Sequence, residues 1–222
     1  MFRFVLEVIS MASYKRSGTR LLAAAAFAIA PVVAFAQPAA AEGFSHNFEC
    51  SGDSPLGEQL FSYQQDSDVS APSSVAAGDE FEVVIDPTVN TVPSEVNGYE
   101  VEQMQGMDLR LPIPDNSTHV STQLEGGSNL GSTEPTVDVS DGVATLHVEG
   151  PIAGGAEFEL PTVTATLQAG DSGVIETQLH GTSYSDPGLT FDADVSTVLG
   201  TVNVPTSCYP DPNPVLTTTE IS

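Results

Sequence analysis

Short runs in which apolar and polar residues alternate restrict the fold of this chain more than any other feature. In "FEVVID" the alternation places Phe81, Val83 and Ile85 on one face, and in "LTFDADVS" it places Phe191 and Ala193 on one face. A period of two, rich in Val, Thr and Phe, is typical of β-strands with one buried face. The same pattern recurs in "VATLHVEG", "TVTATLQAG", "GVIETQLHG" and "GTVNVP".

Turn-forming residues separate these runs and indicate the architecture. In "PTVDVSDGVATLHVEG" the pair Asp141-Gly142 predicts a hairpin with a type I′ turn. About eight or nine strands joined by short loops favour an all-β fold, an antiparallel β-sandwich of immunoglobulin-like architecture, with a β-barrel as the alternative. The chain has no Trp, which is a hallmark of immunoglobulin domains, so "immunoglobulin-like" describes the architecture only.

Two cysteines, Cys50 and Cys208, bracket most of the chain. In an exported protein an even number of cysteines predicts a disulfide, and two cysteines allow one intramolecular pairing. A free or intermolecular thiol pair is the alternative. A disulfide would hold the two ends of one domain together and is worth roughly 4–5 kcal/mol if it acts through chain entropy.

The first 41 residues have the organisation of a secretory signal peptide. Lys15, Arg16 and Arg20 form a basic segment, the apolar run "LLAAAAFAIAPVVAFA" follows, and small residues before Gln37 and Glu42 offer two cleavage sites. The apolar run is too short for a membrane span and leads into small residues, which favours a cleaved signal over an uncut anchor.

The chain accordingly divides into three parts. Residues 1–41 are the signal peptide, within which Met11 is an alternative start, residues 42–210 form a single β-sandwich domain, and residues 211–222 form a Pro/Thr-rich tail. The length of the middle part fits one domain. No membrane span is predicted after cleavage, so we expect a secreted protein, extracellular or associated with the cell wall.

The exported part of the chain is strongly acidic. Of the five Lys and Arg residues only Arg110 follows residue 41, and of the 30 Asp and Glu residues only Glu7 precedes it, which leaves 29 acids, one base and a formal charge of −28. Nucleic acids and anionic lipids are bound largely through Lys and Arg. The composition therefore excludes the usual modes of nucleic-acid binding and is compatible with a saline environment or cation binding.

Arg110, the one base of the exported part, lies in the segment "MDLRLPIP". Alternation places Met107, Leu109 and Leu111 on one face and Asp108 with Arg110 on the other. On the polar side of a strand we expect Arg110 to form a cross-strand ion pair, worth about 0.2–1 kcal/mol. The alternative is a functional arginine that binds an anion.

Catalytic motifs built on a nucleophile are absent from the sequence. It contains no Gly-x-Ser-x-Gly segment, and no Lys after residue 41 that a Ser-x-x-Lys pair or a phosphate-binding loop would need. The abundant carboxylates leave a hydrolase with a paired acid and base as the alternative. We therefore expect no catalytic residues and no cofactor, with calcium as the alternative.

Histidine and aspartate residues offer two alternatives for a metal site. Alternation puts His119, His147 and His180 on polar strand faces, where they would form a zinc or copper site only if their strands were neighbours, and we expect separate, exposed histidines. Calcium takes six to eight oxygen ligands. Its candidate ligands are Asp66, Asp68, Asp186, Asp192 and Asp194.

Three segments of the exported part resemble secreted β-sandwich proteins of actinobacteria-type cell envelopes. They are "FECSGDSPLGEQ" after the signal, "VSAPSSVAAGDEFEV", and the closing "VNVPTSCYPDPNP". The resemblance covers most of the exported part and implies the same fold and location. These segments carry turn residues, prolines and cysteines and no catalytic signature, so the resemblance implies no activity.

These features together predict an exported, non-enzymatic module of the cell envelope or extracellular space that binds an envelope protein or polymer or has a structural role. The alternatives are a secreted hydrolase that uses two carboxylates and a calcium-stabilised adhesive domain. A cleft enclosing two acids would favour the hydrolase, and oxygen ligands converging in one loop cluster would favour the adhesive domain.

Overall fold

The computed structural model describes residues 41–55 and 57–222. The predicted signal peptide, residues 1–41, lies outside the described residues except for its last residue. The described part folds into β-strands joined by turns and loops, so the predicted all-β class is confirmed. Within it, no helix has the length and apolar character needed to cross a membrane.

Seventeen strands make up the described part, and twelve of them are five residues or longer. The first eight are β1 (Glu42–Ser54), β2 (Gly57–Ser70), β3 (Ser74–Val75), β4 (Glu80–Pro87), β5 (Asn90–Thr91), β6 (Glu95–Val96), β7 (Tyr99–Pro112) and β8 (Ser117–Glu125). The other nine are β9 (Thr136–Ser140), β10 (Val143–Val148), β11 (Ile152–Ala153), β12 (Glu157–Phe158), β13 (Thr162–Ala169), β14 (Gly173–Thr177), β15 (Leu189–Thr197), β16 (Gly200–Pro210) and β17 (Thr217–Ile221).

Twelve strands join in one antiparallel sheet. Its path runs β8-β13-β4-β2-β1-β16-β15-β7-β10-β9, and the short strands β6 and β11 pair with β7 outside this path. Two smaller sheets, β12-β5 and β14-β17-β3, complete the described fold. Most inward side chains of the long sheet meet in one main core, and Phe81, Val83 and Leu167 belong to a second, smaller core. The sheet curls over itself, and the architecture combines sandwich packing with a nearly closed, barrel-like sheet.

The predicted alternation decides which side chains enter the core. Phe81, Val83 and Ile85 of β4 are buried, and so are Phe191 and Ala193 of β15. Their polar neighbours along each strand point away from the core, as a period of two requires. The burial of alternate residues therefore fixes the register of these strands, because a shift of one residue would expose every apolar side chain.

The predicted hairpin turn at Asp141-Gly142 is also confirmed. It joins β9 to β10, and the residues flanking it, Ser140 and Val143, are register partners. Asp141 has φ 51° and Gly142 has φ 76°. A type I′ turn needs positive φ at both central residues, which Asp tolerates and Gly adopts freely.

The disulfide between Cys50 and Cys208 is present, with an S–S distance of 2.05 Å. The two cysteines are register partners in β1 and β16, and both side chains are fully buried in the main core. The bond joins residues 158 positions apart in the sequence. It therefore fastens the first hairpin of the domain to one of its last strands.

Two N-terminal strands, β1 and β2, add to the eight or nine strands that were predicted. They pair with each other along their whole length. His46, Phe48 and Cys50 of β1 are buried, as are Tyr63 and Val69 of β2. The alternation in these strands is carried partly by polar residues, which is why a search for apolar periodicity does not find them.

The predicted tail, residues 211–222, belongs to the domain instead of lying outside it. Within it, β17 pairs with β14 and, in parallel, with β3. Leu216 and Thr219 are buried, and Thr219 Oγ1 donates to Pro72 O at 2.6 Å. The run of Thr residues suits a strand because their β-branched side chains favour extended backbone. The prolines of this segment lie in a loop, and its Thr residues form the strand that follows.

Candidate functional site

An elongated apolar cavity, the end cavity, lies between the inward faces of β1, β2, β7, β15 and β16. It is near the edge of the sandwich where β1 turns into β2 and β15 turns into β16, and residues 92–96 cover one side of it. The volume of the cavity is about 70 Å³. Its walls include Phe61, Tyr63, Val92, Met104, Phe191 and Val204.

Three polar side chains in this wall, Thr206, Thr197 and Tyr63, form hydrogen bonds within the protein. Thr206 and Thr197 each donate to a backbone carbonyl, at 3.2 and 2.8 Å. Tyr63 Oη accepts from Asn90 Nδ2 at 2.9 Å, and burial raises the pKa of Tyr63, so the ring remains a neutral phenol. The described part of the wall contains no Asp, Glu, His, Lys or Arg. The end cavity therefore presents hydrocarbon to a ligand.

The rim of the end cavity is tied together by Asn97, in the turn between β6 and β7. Asn97 Nδ2 donates to Gln59 Oε1 and to Leu60 O, both at 3.2 Å, and so joins this turn to β2. Asn97 has φ 53°, a left-handed backbone that Asn tolerates better than most residues. The mouth is consequently framed by hydrogen-bonded elements on this side.

The turn between β15 and β16, the apolar tip, consists of Val198 and Leu199. These side chains are 99% and 78% exposed, the highest values among the large apolar residues of the described part. Thr197, the preceding residue, belongs to the cavity wall, and its Oγ1 accepts from the Leu199 N–H at 3.1 Å. The apolar tip therefore adjoins the end cavity directly.

A second, polar region lies on the outward side of β7. This Arg110 cluster consists of Asp108, Arg110, His147, His180 and Asp186. His147 Nδ1 lies 2.6 Å from Asp108 Oδ1, and His180 Nε2 lies 3.1 Å from Asp186 Oδ1. These are the two ion-pair contacts found among the described residues, and both need a protonated imidazole to carry opposite charges.

Arg110 does not form the predicted cross-strand ion pair. Its register partner on β10 is Thr145, which has no charge, and no described carboxylate lies within 4.0 Å of its guanidinium. Its Nη1 donates instead to Pro187 O at 3.3 Å, and its backbone N–H donates to Gly188 O at 2.8 Å. Arg110 thus holds residues 180–188, the loop before β15, against β7.

Asp186 is the most heavily hydrogen-bonded acid of the Arg110 cluster. It accepts from Thr182 Oγ1 at 3.0 Å and from His180 Nε2, and these bonds, helped by the nearby charges of His180 and Arg110, hold the pKa of Asp186 below its usual value. A lowered pKa keeps the carboxylate ionised. The Arg110 cluster therefore anchors a loop and keeps the carboxylate of Asp186 ionised.

The three histidines that were considered as zinc or copper ligands do not come together. His147 and His180 lie in the Arg110 cluster, whereas His119 lies on β8, at an edge of the main sheet, where its Nε2 bonds Thr122 Oγ1 at 2.8 Å. The fourth histidine, His46, points into the protein. The histidines are therefore spread over three environments.

His46 is a buried residue that sequence reasoning missed. Its side chain is 4% exposed, its Nε2 lies 2.6 Å from Ser67 Oγ, and its Nδ1 has no hydrogen-bond partner among the described residues. Burial lowers the pKa of His46, against the opposing charge of Asp66. It borders an inner cavity that Phe48 and Leu189 also line. The signal for its burial was its place two residues before Phe48 in the alternation of β1.

The candidate calcium ligands occupy three separate places. No group of three or more Asp, Glu, His or Cys side chains suited to a metal ion occurs among the described residues. Residues 66–68 continue β2 without a bend. Asp66 and Asp68 lie on β2, and Asp192 and Asp194 lie on β15. Asp186 lies in loop 180–188.

Two of these aspartates are hydrogen-bonded to side chains of neighbouring strands. Asp66 Oδ1 accepts from Ser45 Oγ of the neighbouring β1 at 2.6 Å and from Gln64 Nε2 of its own strand at 3.1 Å, and these bonds lower the pKa of Asp66. Asp194 Oδ2 accepts from Gln103 Nε2 at 2.8 Å. Both carboxylates thus stabilise cross-strand contacts on the outward face of the sheet.

Comparison with known proteins identifies a similar fold. No protein-family model and no curated protein matches this chain. It is similar to the crystal structure named "Putative membrane anchored protein from Corynebacterium diphtheriae", with 18% identity and a TM-score of 0.56 over 82% of this chain. The match spans 38% of that longer chain. At this identity the likeness shows a shared fold, in a protein of an actinobacterium.

Proposed function

We propose that this chain is an exported, non-enzymatic binding module of the cell envelope and that the end cavity is its ligand-binding site. The observation that carries the proposal is the preformed cavity, which is walled by strands of the main sheet and lined by hydrocarbon. Concave, mostly apolar sites of this kind are the usual form of small-molecule binding sites in proteins.

Export is supported by two observations. The buried Cys50–Cys208 disulfide suits an oxidising compartment outside the cytoplasm. The similar Corynebacterium protein is named for membrane anchoring. Together with the predicted signal peptide, these observations favour a module displayed in or near the envelope, where a binding site for an apolar group would meet lipids and lipid-linked polymers.

Binding without catalysis is supported by the absence of carboxyl groups from the described wall of the end cavity. A carboxylate-dependent hydrolase needs one acid that stays protonated, through a raised pKa, beside a second ionised acid. The described carboxyls whose pKa values shift, Asp66 and Asp186, both shift downward. Neither belongs to the wall of the end cavity. The geometry therefore favours a receptor for an apolar ligand over a hydrolase.

The experiment is a binding titration of the secreted, disulfide-bonded protein with N-phenyl-1-naphthylamine, a neutral dye that fluoresces in apolar surroundings. We expect saturable binding to one site. Val202→Phe places a ring in the cavity wall and should weaken binding about tenfold or more, because overfilling an apolar site excludes its ligand.

The matched control is Asn203→Phe, which places the same ring on the outward face of β16 one residue away. It should change the dissociation constant by less than about twofold. Unchanged circular dichroism spectra would show that both variants fold. The proposal is wrong if the folded wild-type protein shows no saturable signal, or if the two variants bind the dye equally well.

A further inference from the structure

The shape and surroundings of the end cavity restrict its ligand further, and this inference rests on the proposed function. We propose that the ligand is an amphiphile with a single alkyl chain, which fills the cavity, and an uncharged or cationic headgroup, which stays at the rim. The apolar tip, Val198 with Leu199, contacts the lipid surface from which the chain enters.

The form of the end cavity suits a single chain. Along β7 its wall runs from Tyr99 to Met104, and along β15 it runs from Thr197 to Phe191. At about 3.3 Å per residue these stretches extend for roughly 17–20 Å parallel to the strands. A volume of about 70 Å³ spread over this length is narrow along most of it. An unbranched alkyl chain is both long and narrow.

The wall chemistry excludes polar groups from the depth of the cavity. Thr206, Thr197 and Tyr63 already use their hydroxyl groups in internal hydrogen bonds. A hydroxyl, amide or charge carried into the cavity would lose its bonds to water and find few replacements, which is unfavourable. The polar part of the ligand must therefore remain at the rim.

The charges near the rim determine which headgroup is tolerated. Four exposed acids are sequence neighbours of wall residues, namely Asp53, Glu58, Glu95 and Glu100. Arg110, the one base among the described residues, lies eleven positions beyond Tyr99 on the same strand, roughly 36 Å at 3.3 Å per residue. An anionic headgroup at the rim would be repelled by the negative charge of these acids with no nearby base to offset it, whereas an uncharged or cationic headgroup would not be repelled.

The apolar tip explains how a chain enters. A lipid chain that leaves a membrane for a binding site on a protein in water exposes its hydrocarbon to water on the way, unless the protein touches the membrane surface. Val198 and Leu199 are exposed beside Thr197, a residue of the wall. Large apolar side chains at the tip of a hairpin reduce this exposure when they contact the acyl boundary of a bilayer.

Three detergents with the same dodecyl chain test the headgroup rule. Dodecyl maltoside, dodecyltrimethylammonium and dodecyl sulfate are titrated, below their micelle concentrations, against the dye bound to the protein. We expect the first two to displace the dye at concentrations roughly tenfold or more below that needed for the sulfate. At about 1 M sodium chloride the difference should shrink, because the screening length falls to about 3 Å.

The outcomes separate this inference from the proposed function. If the dye binds in the end cavity but no dodecyl compound displaces it, the alkyl-chain ligand is ruled out while the binding module stands. If the sulfate competes best, the headgroup rule is overturned. Direct binding of dodecyl maltoside, measured by calorimetry, must be weakened in Val202→Phe and kept in Asn203→Phe, because binding elsewhere on the acidic surface would be insensitive to both.

The role of the apolar tip is tested with the doubly substituted Val198→Ser, Leu199→Ser protein. The measurement is the rate at which it takes a fluorescent lysophosphatidylcholine out of phosphatidylcholine vesicles. We expect a rate several-fold below wild type, with the affinity for monomeric dodecyl maltoside within about twofold. Val120→Ser, an exposed substitution on β8, is the control. Equal rates for all three proteins would remove the tip from the entry route.

Discussion

The end cavity and the Arg110 cluster differ in the residues that build them. The cavity is made largely by Val, Phe and Thr side chains, which are common throughout the chain, whereas the Arg110 cluster holds the one base after residue 41 and two of the four histidines. The rare residues attract attention in the sequence. In the fold, however, Arg110 donates to Pro187 O and holds a loop in place, and the common residues enclose a space.

The difference shows that rarity in a sequence and availability in a structure are separate properties. A polar residue on a strand has backbone carbonyls and polar side chains within hydrogen-bond distance, so its polar groups readily form local hydrogen bonds. An apolar wall residue has no directional partner, and a cavity forms wherever facing side chains are too small to meet.

Removing the disulfide should have the largest effect, because it joins two strands that wall the end cavity. Replacing Cys50 and Cys208 by Ala removes a cross-link between residues 158 positions apart, and the free energy of unfolding should fall by about 5 kcal/mol. Urea denaturation measures the free energy of unfolding of both proteins. A loss below about 1 kcal/mol would mean that β1 and β16 hold the wall together without the bond.

Truncation of a cavity-wall residue should cost less than truncation of a packed core residue. Met104 borders the end cavity, whereas Leu146 is fully buried and lines none of the described cavities. Met104→Ala should lower the unfolding free energy by about 2 kcal/mol and Leu146→Ala by about 4 kcal/mol, because a side chain beside empty space has fewer contacts to lose. Equal losses would show that the end cavity closes in solution.

The β-fold was predictable from the strands whose buried positions are occupied by apolar residues, because there the alternation of apolar and polar residues is visible in the sequence. Phe81, Val83 and Ile85 were placed correctly, and so was the turn at Asp141-Gly142, whose residues accept positive φ. The N-terminal hairpin was not found, since buried positions such as His46 are polar. Burial of a polar residue depends on a partner from another strand, and pattern reading cannot supply that partner.

The end cavity was not predictable, for a different reason. Its wall combines strands from both ends of the chain, so Phe61 and Val204 meet only because β1 lies between β2 and β16. Alternation in β16 shows that Val204 points inward but does not show which residues of other strands lie beside it. For Arg110, alternation gave the correct face, while its carbonyl partner comes from an irregular loop whose path no pattern describes.

The pH dependence of stability should distinguish the buried His46 from the histidines of the Arg110 cluster. Burial holds the folded-state pKa of His46 below its ordinary value of 6.5, so protonation favours the unfolded chain. Stability should be complete above pH 6.5 and fall as the pH drops from there toward the lowered pKa. The slope should not exceed about 1.4 kcal/mol per pH unit, the limit for one group.

His46→Gln should flatten that slope when unfolding free energies are measured between pH 5 and pH 8. Asp66 and Asp186 do not interfere, because their lowered pKa values place their loss of stabilisation below about pH 4. The control is the doubly substituted His147→Gln, His180→Gln protein, in which the fall below pH 6.5 should persist. If the slope disappears in the control and remains in His46→Gln, the titrating groups lie in the Arg110 cluster.

Substitution of Arg110 should have the smallest effect, although it removes the one positive side chain among the described residues. Arg110→Gln loses a partly exposed bond to Pro187 O, and the unfolding free energy should change by less than about 0.5 kcal/mol. The pKa of Asp186 should rise slightly toward its ordinary value, since the guanidinium is the weakest of the influences that lower it. Carbon-detected NMR titration of the carboxyl resonances measures this shift, and dye binding in the end cavity should not change. A loss of binding with an unchanged fold would show that the two regions are energetically linked and that Arg110 acts on the cavity along β7.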